Sequence, residues 1–214
     1  MLRQINNTDI ITAIFIACLL CIAISKLLFG KRFDIFSNLI LTNRYIKAYI
    51  KEQHFFETFD ALLFINLILN GGIFIYIIQK ALSNTVLSQL LILKYAILLG
   101  SFFIVKVLIE RLLASVFKID HLINSYLFNK ISYRNYLGLI LLPVNAILIY
   151  YVDYSANLLY ILGISVLAIY TIILLTYYSK NLNLLKQSLF YFILYLCALE
   201  IAPYIIVYQF IAIK

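Results

Sequence analysis

Charge is scarce in this 214-residue chain: Asp, Glu, Lys and Arg together make up 12% of it, against 65% hydrophobic residues. An ordinary globular domain carries roughly a quarter charged residues, so a soluble domain is excluded and one membrane-embedded domain over residues 1–214 is expected. Histidine is scarcer still, with two in the chain. His54 and His121 fall in separate polar loops, neither with a second ligand at metal spacing, which argues against a metal or haem site. The three cysteines are equally uninformative: Cys18 and Cys21 form Cys-Leu-Leu-Cys inside an apolar run, without a redox context, and Cys197 is a lone small residue, so all three read as core. Tryptophan is absent, while Ile, Tyr, Asn and Lys abound, as in AT-rich bacterial genomes. A P-loop, a nucleotide fingerprint and a serine-hydrolase elbow are all lacking. No enzyme and no cofactor is expected.

What is present is six long apolar runs, at about Ile10–Phe29, Ala61–Gln79, Val86–Ile109, Tyr136–Val152, Ser155–Tyr178 and Gln187–Ile211. Each falls within the ~17–25 residues that a spanning helix needs. The expected fold is therefore an all-α, polytopic transmembrane bundle of about six spans. The turn at Asp153 makes the fourth and fifth runs a tight helical hairpin.

Basic residues orient the bundle. Lys31, Arg32, Arg44, Lys47 and Lys51 follow the first run, Arg111, Lys118, Lys130 and Arg134 the third, and Lys180 and Lys186 the fifth. The opposite side carries only Arg3, Lys80 and Lys214. Basic loops stay in the cytoplasm, so both termini are expected in the periplasm of a multi-pass inner-membrane protein. The polar leader before the first run does not read as a cleaved signal peptide. The net charge of +8 flanks apolar segments, which points to anionic lipid headgroups and not to nucleic acid.

Two of the basic loops are amphipathic. Ile46, Tyr49 and Ile50 oppose Arg44, Lys47 and Lys51, while Ile119, Leu122, Ile123, Tyr126 and Leu127 recur at helical spacing opposite Asp120, His121 and Asn124. Both fit interfacial helices on the cytoplasmic side, or extensions packed on the bundle, or a docking surface for a membrane-protein partner.

Polar residues inside the runs are costly, at least ~2.5–3.5 kcal/mol for a charge at mid-span. Lys26 and Lys106 lie near span ends and can snorkel, and Glu110 follows Lys106 in pairing register. Lys94 and Glu200 lie deeper, ~12 Å and ~16 Å from the outer ends of their helices at 1.5 Å per residue. Such a pair would offset its own desolvation. Its bland reading is a packing pair between two helices, and its functional reading a proton or cation relay. Pro203 frees the carbonyl of Leu199 beside Glu200. Pro143 marks a similar local break next to Asn145, while Asn66, Asn70, Gly71 and Gly72 offer interhelical hydrogen bonds and close approach.

The stretch Leu28-Phe29-Gly30-Lys31-Arg32-Phe33 running into Arg44-Tyr45, with the C-terminal Tyr195-Leu196-Cys197-Ala198-Leu199-Glu200-Ile201-Ala202-Pro203, resembles an uncharacterised family of integral membrane proteins from Bacteroidota, domain of unknown function 4271. Its sharp motif is Cys-x-x-Glu-x-x-Pro. The resemblance implies a Gram-negative inner membrane and implies no activity. The role expected from the residues is a non-enzymatic subunit or assembly factor of an envelope complex, with membrane-protein partners or a homo-oligomer. The alternative is a small transporter or channel using the Lys94–Glu200 pair, against which the two halves of the chain show no internal repeat.

Overall fold

The computed structural model describes residues 9–39, 44–49, 57–82, 88–116, 120–151, 161–165 and 168. Glu200, Pro203, Cys197 and the fifth and sixth apolar runs lie outside these residues, apart from the short pieces at 161–165 and 168. These residues form six helices: α1 (Asp9–Leu28), α2 (Gly30–Ser37), α3 (Arg44–Tyr49), α4 (Thr58–Leu82), α5 (Leu91–Val116) and α6 (Asp120–Tyr150). Among the described residues there is no strand. Among the described residues four helices, α1, α4, α5 and α6, are long and apolar enough to cross a membrane. Their outward faces carry Leu19, Leu20, Ile97, Leu98, Leu112 and Ile147, all more than half exposed. That apolar cover suits lipid and would be costly in water, so the protein is placed in a membrane.

α4 is the hub. It runs antiparallel to α5, where Gly72 meets Ala96 and Gly100 meets Ile68, and parallel to α6, where Asn70 meets Asn145. Lipid offers no hydrophobic drive for helix association, so close packing and polar contacts must supply it. Glycines allow the close packing. A Cβ on Gly72 would sit 2.8 Å from the Ile92 carbonyl oxygen, and one on Gly138 would sit 2.8 Å from the Leu67 Cα. A Cβ on Gly71 would approach Leu99 to 3.1 Å, so the expected close approach at Gly71 and Gly72 is realised and Gly138 adds a second site on α6.

Two elements differ from the expectation. The amphipathic stretch, from Asp120 to Leu127, and the fourth run, as far as Tyr150, are one helix, α6, 31 residues long and continuous through Pro143. At 1.5 Å per residue it reaches about 46 Å, well beyond the ~30 Å hydrocarbon core. No glycine or proline interrupts residues 120–137. Lys130 and Arg134, which read as loop residues, are buried inside the bundle, and Ile123, Tyr126 and Leu127 pack on protein. Pro143 is exposed on α6 and the helix runs on past it, although its missing amide leaves the Leu139 carbonyl without its usual helical donor. The second difference is α2, which forms straight after α1 within what reads as a loop.

α2 and α3 close one end of the bundle over an aromatic cluster. Phe36 meets Phe59 edge-on at 5.5 Å and Tyr45 at 5.1 Å, and Tyr45 stacks on Phe128 of α6 at 5.8 Å. Phe36, Tyr45 and Phe59 are fully buried. These offset and edge-on pairs are the favoured geometries of aromatic rings. α3 packs on the bundle: Tyr45 is buried, Ile46 and Tyr49 are half-buried and Arg44 is exposed.

Candidate functional site: a buried polar seam

Polar residues form a seam along the inner faces of α4 and α6, in three layers. The outermost layer centres on Arg32 of α2. Its guanidinium donates to the Glu57 carboxylate, to Asp60 Oδ2 at 3.2 Å, and through Nε and Nη2 to the Tyr45 hydroxyl at 3.2 and 3.1 Å. The rings of Tyr49 and Phe59 lie 4.8 and 4.7 Å from its central carbon. A planar fork with this many donors suits such a site as a lysine could not. Burial pushes the Tyr45 phenol above its ordinary ionisation range, so it stays protonated beside Arg32. On the far side Asn135 Nδ2 of α6 donates to the Asp60 carbonyl oxygen at 3.3 Å.

The second layer joins α5 to α6. Lys130 Nζ donates to Glu110 Oε1 at 2.7 Å, with the two side chains 3% and 0% exposed. One turn before Glu110, Lys106 is buried too, where a snorkelling end residue was expected. One turn after Lys130, the Arg134 guanidinium lies over Phe103 at 4.3 Å and Phe64 at 5.4 Å. The stem of each cation therefore covers apolar surface while its head meets a carboxylate or a ring face.

The third layer lies deepest along the spans. Asn70 Nδ2 donates to Asn66 Oδ1 at 3.0 Å and to the Asn66 carbonyl oxygen at 2.9 Å. Asn145 Nδ2 donates to the Asn70 carbonyl oxygen at 2.9 Å. All three amides are fully buried, and the Cys18 thiol of α1 lies against Asn70. Two expected site residues, Asn70 and Asn145, are thereby brought together.

Lys94 stands apart. It is exposed on α5, among Leu90, Leu93, Ile97 and Leu98, all exposed as well. Its expected partner Glu200, with Pro203, lies outside the described residues. Sequence reasoning missed Arg32, Lys130, Arg134 and Asn135, because basic residues between apolar runs report topology first. A signal was present nonetheless. Arg32 is flanked at helical spacing by Phe29 and Phe36, and Lys130 by Tyr126. Among the described residues, no three His, Cys, Asp or Glu side chains converge as a metal site would require.

No curated relative and no solved structure matches the chain. The family model described as Domain of unknown function (DUF4271) matches residues 11–211, nearly the whole chain, and the protein belongs to that family.

Proposed function

We propose that the protein is a non-enzymatic, multi-pass protein of a bacterial inner membrane, acting as a subunit or assembly factor of an envelope complex. One observation carries this reading: the charges buried inside the bundle tie helix to helix. Arg32 links α2 and α3 to α4, and Glu110 links α5 to α6. Such ties suit a rigid scaffold whose interactions lie on its outer surfaces. The division of basic residues puts the Arg32 end in the cytoplasm and both termini in the periplasm. α2 and α3 are then the cytoplasmic surface offered to a partner.

A second reading, a small transporter or channel, is favoured by Lys94. An ammonium on an apolar, outward α5 face needs a counter-charge, and the sequence offers Glu200, although α5 starts at Leu91 and Lys94 lies about one turn inside it, less deep than the ~12 Å expected. Tagged purification in mild detergent, with identification of co-purifying proteins, separates the two. Stable membrane-protein partners support the scaffold. An isolated monomer or homodimer supports transport, in which case Glu200→Gln should abolish activity at normal protein abundance.

A further inference from the structure

The outward face of α1 ends in charge. Ile16, Leu20, Ile24 and Leu27 recur at helical spacing and are all exposed, Leu27 at 84%. From Ile16 to Leu27 this row runs ~16 Å at 1.5 Å per residue, about half of the ~30 Å hydrocarbon core and so the depth of one leaflet. Helical hydrogen bonds continue across the join to α2: the Phe29 amide donates to the Ser25 carbonyl oxygen at 3.0 Å, and the Phe33 amide to the Phe29 carbonyl oxygen at 2.8 Å. The row therefore carries on into α2, where its next two residues, Lys31 and Asp34, are exposed as well. Lys26, exposed on the adjoining row, adds a second cation beside Leu27. Among the described residues none of these three charges has an ion-pair partner, whereas Arg32, Glu110 and Lys130 are paired inside the bundle.

We propose that this row binds a zwitterionic phospholipid with a primary amine, phosphatidylethanolamine, and selects it by its headgroup. Order carries the argument. Away from the bilayer centre the protein offers aliphatic side chains, then cations, then a carboxylate one turn or ~4.5 Å further on. The lipid offers acyl chain, phosphate and ammonium in the same order, so each charge meets its opposite. An acyl chain lies along Ile16 to Leu27, the phosphate accepts from Lys31 and Lys26, and the ammonium donates to Asp34. Two cations alone would suit any anionic headgroup. Asp34 alters the selection, because it repels a second negative group and favours a donor, which a choline headgroup lacks. An acidic soluble partner is a poorer fit, since it would leave Leu27 and Leu28, both well exposed, without apolar cover. The inference needs only the membrane placement of α1, holds for either leaflet and is independent of the scaffold reading.

The test titrates delipidated full-length protein in mild detergent with phosphatidylethanolamine, phosphatidylcholine or phosphatidylglycerol of identical acyl chains, the first bound lipid being followed by native mass spectrometry. Identical chains cancel the apolar row, so differences report the headgroup. Phosphatidylethanolamine should bind about two- to fivefold tighter than phosphatidylcholine, the worth of an exposed charge pair. Lys31→Gln should weaken all three lipids by a similar factor. Asp34→Asn should bring phosphatidylethanolamine level with phosphatidylcholine and should tighten phosphatidylglycerol. Both residues are exposed, so neither variant endangers the fold. Equal binding of the two zwitterionic lipids by the parent overturns the proposal, and so does an ethanolamine preference that survives Asp34→Asn. Binding indifferent to Lys31→Gln would place the headgroup elsewhere, and tightest binding of phosphatidylglycerol would reduce the site to a basic patch; either result sinks the idea.

Discussion

At the scale of single residues, the buried ion pairs decide what substitution costs. Glu110 and Lys130 are both withdrawn from solvent, so neither can regain water when the other is lost. Glu110→Gln or Lys130→Met alone should cost about 3–5 kcal/mol, while the double replacement should approach the parent. A double-mutant cycle on thermal melts checks this, and additive losses would mean that the two heads do not depend on each other. Arg32→Lys keeps the charge but loses the fork that reaches Glu57, Asp60 and Tyr45 together. It should lower stability by about 1.5–3 kcal/mol, the worth of a hydrogen bond to a charged group, read as a drop in melting temperature. The sequence makes Lys94 and Glu200 conspicuous because a charge inside an apolar run has no other reading. Lys130 and Arg134 stayed hidden for the converse reason: a charge in a polar stretch reads as solvated until a neighbouring helix is known to cover it.

At the scale of helices, glycine sets how closely α4 can be approached. Gly72→Ala and Gly138→Ala would drive a methyl group into backbone atoms of α5 and α4, which cannot swing aside. Each should cost about 1–3 kcal/mol as overpacking. Gly100→Ala would meet only the flexible end of Ile68 and should cost less, while Gly30, with open space around it, should accept alanine without loss. Melts of the four variants in one detergent rank them, and an unaffected Gly138→Ala would mean that the α4–α6 contact can loosen freely. Gly71-Gly72 was legible as a pair beside asparagines. Gly138, alone in an apolar run, carried no such mark. The boundary before Tyr136 was misplaced because hydropathy stops at Lys130 and Arg134 while backbone helicity does not; the polar side chains find partners inside the bundle and the helix runs on.

At the scale of the whole molecule, apolar length was legible for α1, α4 and α5, and connectivity within the Arg32 end was not, because α2 and α3 are too short and mixed to announce themselves. The sidedness proposed from basic residues can be measured. A cysteine at the exposed Lys31 or Asp34 should resist a membrane-impermeant label added from outside, one at the exposed Ser88 should react, and a reporter after Lys214 should work only if it functions outside the cytoplasm. Labelling of Lys31→Cys from outside would invert the bundle. The parallel course of α4 and α6 has its own consequence for how the protein is made. Asp60 meets Asn135, and Asn70 meets Asn145, each across 75 positions. At ~5–20 residues per second, α4 leaves the ribosome on the order of ten seconds before α6, whose Asn145 donates to Asn70. Until then Asn66 and Asn70 must be sheltered by the insertion machinery or by each other, and a nascent chain stopped at Val116 should be recognised as incomplete and degraded, whereas one extended through Tyr151 should persist.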